Sequence, residues 1–471
     1  SLVADLRRQG ALRASRYAFK CGAIREFVGL LTRLSQRLNL TPDKNRYLKS
    51  LAALYTLSAD GERIRTGILT RLGSRRGEAL KPFLVIANEA FENDWPFDRL
   101  RGSDQLVHYS KEQISCAASR IIALHREALD LKVQDFSHAD AQAINELNNT
   151  YRDLLLETLR LEQLINAEIL VDGLPYQADS ELGGVTIRSI DPDVEKSVRL
   201  GFAQREIQIH RRNQRFGEFL TTAPSTPSLE ALFATYVNDG LEHLAELRTE
   251  PRPRFAINIP TDPEFFAPLA ADHFYLEELW YLEQLQVDQF THPNYFELEV
   301  VPGISVVELF KVMRLFGLLG RTMSSLLSKV DDNERRRFLL INSSILVQKR
   351  SDFLRLLSGV LECEKAERIL ALLELNADRE YVDLQYTPLI CVDNFVAFPP
   401  ALVARSNIIR NILCVNNYLE KREETRDPMQ TAVADILNAA GFMVAVEIQM
   451  SIEGSQRDTD IFAYREGILY I

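Results

Sequence analysis

The residues that read as chemistry are concentrated between Asp427 and Ile471. Asp460 immediately precedes an apolar run, Ile461-Phe462-Ala463-Tyr464, and Asp458 stands two positions earlier. Glu447 lies upstream, on the polar side of an alternating stretch. Each carboxylate has a plain reading beside a functional one. Asp458 suits a turn and Glu447 a solvated strand face, whereas Asp460 at a strand mouth is the residue singled out for a site. A second candidate is basic. Arg205 and Arg212 lie two helical turns apart with Arg215 close by, a spacing that serves a solvated helix face or a phosphate-contacting one.

Other chemistries find no support. There is no Gly-x-x-x-x-Gly-Lys-Ser/Thr phosphate loop and no Gly-x-Ser-x-Gly nucleophile turn. Cys21, Cys116, Cys363, Cys391 and Cys414 are scattered and odd in number, against both a disulfide framework and a zinc site. The seven histidines are equally dispersed.

The elements that must hold the acidic residues follow from periodicity. Asp427 caps a helix and Pro428 fits its first position, which needs no backbone donor. Met429, Val433, Ile436 and Ala440 share a face, and Gly441 suits the stop. Strict alternation follows, with Val444, Val446, Ile448 and Met450 on one side and Ala445, Glu447 and Gln449 on the other. A polar turn at Glu453-Gly454-Ser455-Gln456 leads to Asp458, and a second at Arg465-Glu466-Gly467 precedes Ile468 to Ile471. That hairpin pairs Tyr464 with Ile468 and Ile461 with Ile471, so that Asp460 faces the first position past the last residue.

Helix, strand and acidic hairpin in this order resemble the core of the PD-(D/E)XK, or restriction-endonuclease-like, nuclease superfamily. Asp460, in Thr459-Asp460-Ile461-Phe462, stands where the family has its metal-binding Asp. The resemblance implies a Glu-x-Lys within a few residues after Ile471, so the core is incomplete here. It implies Mg²⁺ or Mn²⁺ as cofactor, held by Asp460 and that Glu, with Glu447 and Asp458 as further candidates. The Lys would help position the attacking hydroxide. Gln430 and Asp435 are what the first helix offers for a third ligand. The implied activity is phosphodiester hydrolysis by a DNA-cutting effector of a bacterial antiviral defence or restriction-type system, with DNA rather than RNA as substrate. A partner subunit, an NTPase supplied in trans or a homo-oligomer would fit such a system. Two alternatives stay open: a helical recognition or regulatory protein with an inactive nuclease-like domain, and a protein-binding adaptor.

The remainder reads as a multidomain, mainly α protein with short strands. Composition is that of a globular chain, 46% hydrophobic and 26% charged over 471 residues, with a net charge of −11 that confines any phosphate contact to local patches. No apolar run is long enough to span a bilayer and no leader is present, so a cytoplasmic location without membrane contact is expected. Residues 1–220 form a helical domain, with breaks near Pro82 and Pro96, a long amphipathic helix from Ala139 to Ala167 and a short strand insertion near 169–191. A linker at Thr221–Ser228 precedes a second mainly helical domain, 229–418, with a short strand from Phe255 to Ile259, a helix from Phe265 to Gln286, another through Val347, a hairpin at 389–398 turning on Asp393-Asn394 and ended by Pro399-Pro400, and a helix from Leu402 to Leu419. The charged run Glu420–Arg426 is a hinge before the nuclease-like domain, 427–471.

Overall fold

The structure is a computed structural model. It describes residues 2–37, 41–74, 80–92, 109–128, 131–136, 150–181, 184–222, 226–238, 244–250, 252–258, 260, 262–287, 290, 295–375, 382–416, 428–452 and 455–470, the last acidic stretch (447–460) as backbone only. The expected break at Pro96, the hinge at 420–426 and the cap at Asp427 lie outside the described residues, as do parts of the linker and of the long helix expected from Ala139. The chain is mainly helical with small sheets. Among the described residues no helix is long and apolar enough to cross a membrane.

The chain divides into two compact units, residues 1–298 with 304–408, and residues 299–303 with 409–471. The first unit is organised by apolar helix faces. The helix Leu80–Glu92 buries Leu80, Phe83, Leu84, Val85, Ile86 and Ala87 completely or nearly so. Pro82 does not break it: Pro82 lies in the first turn, where its missing N–H has no intrahelical partner to lose. Val306–Ser328 is a second central helix, started by a capping box in which Ser305 and Glu308 satisfy each other's backbone donors. The buried cluster that includes the first of these helices has residues from Val3 to Leu402.

Strands in this unit are short. The hairpin β1 (Tyr176–Glu181) and β2 (Gly184–Ser189) occupies the expected strand insertion. A second hairpin joins β3 (Ala245–Arg248) to β4 (Arg254–Ile257), of which β4 was expected and β3 was not. The brief strand β6 (Ile304–Ser305) precedes the capping box, and β5 (Glu299–Val301) belongs to the second unit. A four-stranded sheet has the order β7 (Leu346–Lys349), β10 (Phe395–Phe398), β9 (Leu389–Val392), β8 (Glu374–Leu375). The β9–β10 turn is the two-residue Asp393-Asn394 connection read from the sequence, with Val392 opposite Phe395 and Asp393 at φ 52°.

Three expectations are corrected. The helix expected through Val347 ends at Ser343, because Leu346–Lys349 instead pairs antiparallel with β10. The single helix expected from Leu402 is two, Pro400–Arg405 and Ile408–Val415, with Pro400 in the first turn of the former rather than past the end of the hairpin. The helix expected from Phe265 to Gln286 is also two, Pro263–Phe266 and Leu276–Val287.

Past Leu413, the second unit contains a helix, Pro428–Ala439, packed on a three-stranded antiparallel meander: β11 (Met443–Ile452), β12 (Ser455–Arg465) and β13 (Ile468–Tyr470). Gly441, at φ 83°, ends the helix, and the Phe442 N–H reaches back to the Leu437 carbonyl at 3.0 Å, closing a Schellman turn.

Candidate functional site

The acidic residues are assembled by the pairing of β11 with β12. Val446 lies opposite Ile461 and Ile448 opposite Thr459, so by continuity of the register Glu447 and Asp460 fall between these pairs on facing strands. Asp458 falls opposite Gln449. β12 is the central strand, and it begins at Ser455 rather than after the acidic pair. Asp458 is therefore a strand residue, not part of a turn, and Asp460 stands mid-strand rather than at its start.

The second hairpin differs from expectation by one residue. Its turn is Glu466-Gly467 alone, with φ 54° and 86°, the two positive values that a type I′ turn requires. Tyr464 therefore faces Leu469, not Ile468, and Ala463 faces Tyr470. Continuing that register, Asp460 would face the second position after Ile471 rather than the first. Arg465 steadies the corner, its Nη1 donating to the Ala440 carbonyl at 2.6 Å while its guanidinium lies 5.5 Å from the Phe442 ring centre. Of the two residues considered on the helix, Asp435 is exposed. Among the described residues no group of three His, Cys, Asp or Glu could hold a metal, and the side chains at 447, 458 and 460 are outside that set.

The basic candidates are positioned by one long helix, Pro192–Thr222. Arg212 is buried, 4% exposed, with its guanidinium 4.3 Å from the centre of the Trp280 ring and its Nη2 donating to Asn213 Oδ1 at 3.0 Å. Arg205 is exposed, and Arg215, also exposed, lies 3.9 Å from Glu283. The structure thus does not gather the three on one open surface: Arg212 joins this helix to Leu276–Val287.

No protein-family model matches the chain, and no curated protein or solved structure does.

Proposed function

We propose that residues 427–471 belong to a metal-dependent nuclease core and that the protein is a DNA-cutting effector. The observation that supports this reading is the order helix, β11, β12, β13 with Asp460 on the central strand and Glu447 facing it by continuity of the register. Two carboxylates meeting across adjacent strands suit Mg²⁺ or Mn²⁺, which take a few carboxylate oxygens and fill the remaining positions with water and phosphate oxygens. Asp460 and Glu447 would hold the ion, and Asp458, two residues along the same strand, is the further donor. When bound, the metal supplies Lewis acidity at the scissile phosphate and a nucleophilic hydroxide at neutral pH. The chain's own contribution is to fix the two carboxylates at ladder spacing on a sheet, which holds them more closely than a loop would.

The test is cleavage of duplex DNA, single-stranded DNA and RNA by the full-length protein and its Asp460→Ala variant, with Mg²⁺ or Mn²⁺ present. Cleavage of duplex DNA by the parent and none by the variant is expected. Equal cleavage by both overturns the role of Asp460. No cleavage by either, with the candidate partner subunit or NTPase supplied, favours a recognition or adaptor protein carrying an inactive core.

A further inference from the structure

The first unit contains a cavity of about 600 Å³, within the range of small-molecule sites, whose lining charges are strongly one-sided. Lys81, Arg248, Arg254, Lys349 and Arg355 line it, and among the described residues Asp352 is the single lining carboxylate. In a chain of net charge −11 this concentration of cations is not a property of the general surface. The cations come from separate elements: Lys81 from the first turn of Leu80–Glu92, Arg248 and Arg254 from the β3–β4 hairpin, Lys349 from the end of β7, and Arg355 from the helix Arg350–Leu357. The hairpin is tied down beside the cavity, since the Phe255 N–H donates to Ser343 Oγ at 2.9 Å.

Among the described residues three of the cations, Lys81, Arg254 and the exposed Lys349, have no paired carboxylate, and the first two are the less accessible. Lys81 is 2% exposed, and its Nζ donates to the Asn342 carbonyl at 3.2 Å. Arg254 Nη1 donates to the carbonyls of Glu250, at 2.7 Å, and Arg252. Among the described residues no carboxylate pairs with either. A buried lysine near a guanidinium, both bonded among the described residues to backbone oxygens, either sheds its proton or takes up an anion, and a bound anion would hold it charged. Arg355 is matched with Asp352 at 3.1 Å and Arg248 with Glu246 at 2.5 Å, while Lys349 is exposed to solvent. The buried part of the unmatched charge is therefore at Lys81 and Arg254. Beside it the wall turns apolar, with Phe255, Phe395 and Leu346.

We infer that this cavity is a binding site for a small, multiply phosphorylated molecule of the nucleotide class, with phosphates on Lys81 and Arg254 and the ring against Phe255 and Phe395. Arginine forks and a lysine point charge are the usual partners of phosphate oxygens. The volume suits one mononucleotide and not a polynucleotide track. The site is independent of the acidic ladder at Asp460, so either can fail without the other.

Isothermal titration calorimetry of the full-length protein with ATP, inorganic triphosphate and a short single-stranded DNA tests it. ATP should bind one site per chain, at least about tenfold more tightly than triphosphate. Arg254→Ala and Lys81→Met should each weaken ATP at least about tenfold while circular dichroism stays unchanged. Arg254 is the more accessible of the two, so it serves if Lys81→Met fails to fold. Equal binding of triphosphate and ATP overturns the nucleotide assignment, and tighter binding of the DNA overturns the small-molecule one. Absence of binding at millimolar ATP, or binding that ignores both substitutions, overturns the site itself.

Discussion

Arg314 and Glu278 form a two-pronged ion pair in the interior of the first unit, Nε to Oε1 at 2.6 Å and Nη2 to Oε2 at 2.8 Å. Arg314 is fully buried, and its remaining donors reach the carbonyls of Leu269, Ala271 and His273. Glu278 also accepts from the Tyr275 N–H at 2.9 Å, and the guanidinium lies 4.7 Å from the Tyr275 ring centre. One arginine on the helix Val306–Ser328 thus closes the irregular segment between Phe266 and Leu276.

Removing one partner strands the other. Arg314→Met should destabilise the first unit by about 3–5 kcal/mol, since it leaves a buried carboxylate and three carbonyls unsatisfied. Urea unfolding followed by fluorescence of Trp280, on the helix that carries Glu278, reads the loss. A double change, Arg314→Met with Glu278→Leu, should recover part of it, because no charge is then left buried. A double variant as unstable as the sum of both singles would mean that the carbonyl contacts dominate.

Lys81 supplies a pH dependence. Burial, with Arg254 adding repulsion, pulls its ammonium down to about 7, from an ordinary value of 10.5. Between these two values the unfolded chain holds the proton and the folded one does not, so stability rises with pH across that window. Lys81→Met should therefore be more stable than the parent at pH 7, by several kcal/mol at about 1.4 kcal/mol per unit. The gap should close toward pH 10.5. Thermal midpoints of the two proteins at pH 7, 8.5 and 10 measure this, and a gap that does not narrow with pH would refute it.

Two glycines on one helix, Ser58–Ser74, should respond oppositely to alanine. A Cβ on Gly61 would stand 2.6 Å from Cδ1 of Phe19, a buried ring that cannot swing into solvent. Gly61→Ala should cost about 1–3 kcal/mol through overpacking. Gly67 has nothing within 4 Å of an added Cβ, so Gly67→Ala should gain about 0.4–1 kcal/mol by restricting the unfolded chain. Chemical denaturation midpoints that move in the same direction would contradict the packing at Phe19.

How much of this was legible in the sequence depends on how local the deciding interaction is. The Asp393-Asn394 turn and the Gly441 stop are settled within a few residues and were read correctly. The one-residue error at Glu466 has the same local origin. A glutamate at positive φ, unlike Asp393, carries no composition signal, so the turn reads as three residues instead of two. β7 was missed for a different reason. Leu339 to Val347 offers apolar residues compatible with helix or strand, and the partner that decides is β10, almost fifty positions away. The cavity cations were invisible because they come from three distant stretches, at 81, 248–254 and 349–355, none of which forms a motif. Arg212 looked like its neighbours, since only the placement of Trp280 makes it interior.

The last prediction concerns the ladder position of Asp460, and it needs no substrate. Like charges directly opposite each other on antiparallel strands destabilise the pair, and a cation bound between them reverses that effect. In chelator, then, Asp460→Asn should leave the second unit as stable as the parent or slightly more so, by up to about 1 kcal/mol. Adding Mg²⁺ or Mn²⁺ should stabilise the parent, by about 2.7 kcal/mol at a hundred times the dissociation constant. The variant should gain much less. Glu447→Gln should behave in the same way, since Glu447 faces Asp460 by continuity of the β11–β12 register, whereas Asp435→Asn, on the helix, should keep the full response. Hydrogen exchange of the β12 amides in chelator and in metal reads the local stability directly, free of any activating requirement. Equal protection by metal in the parent and in Asp460→Asn would remove Asp460 from the ion site even if the protein proved to cut DNA.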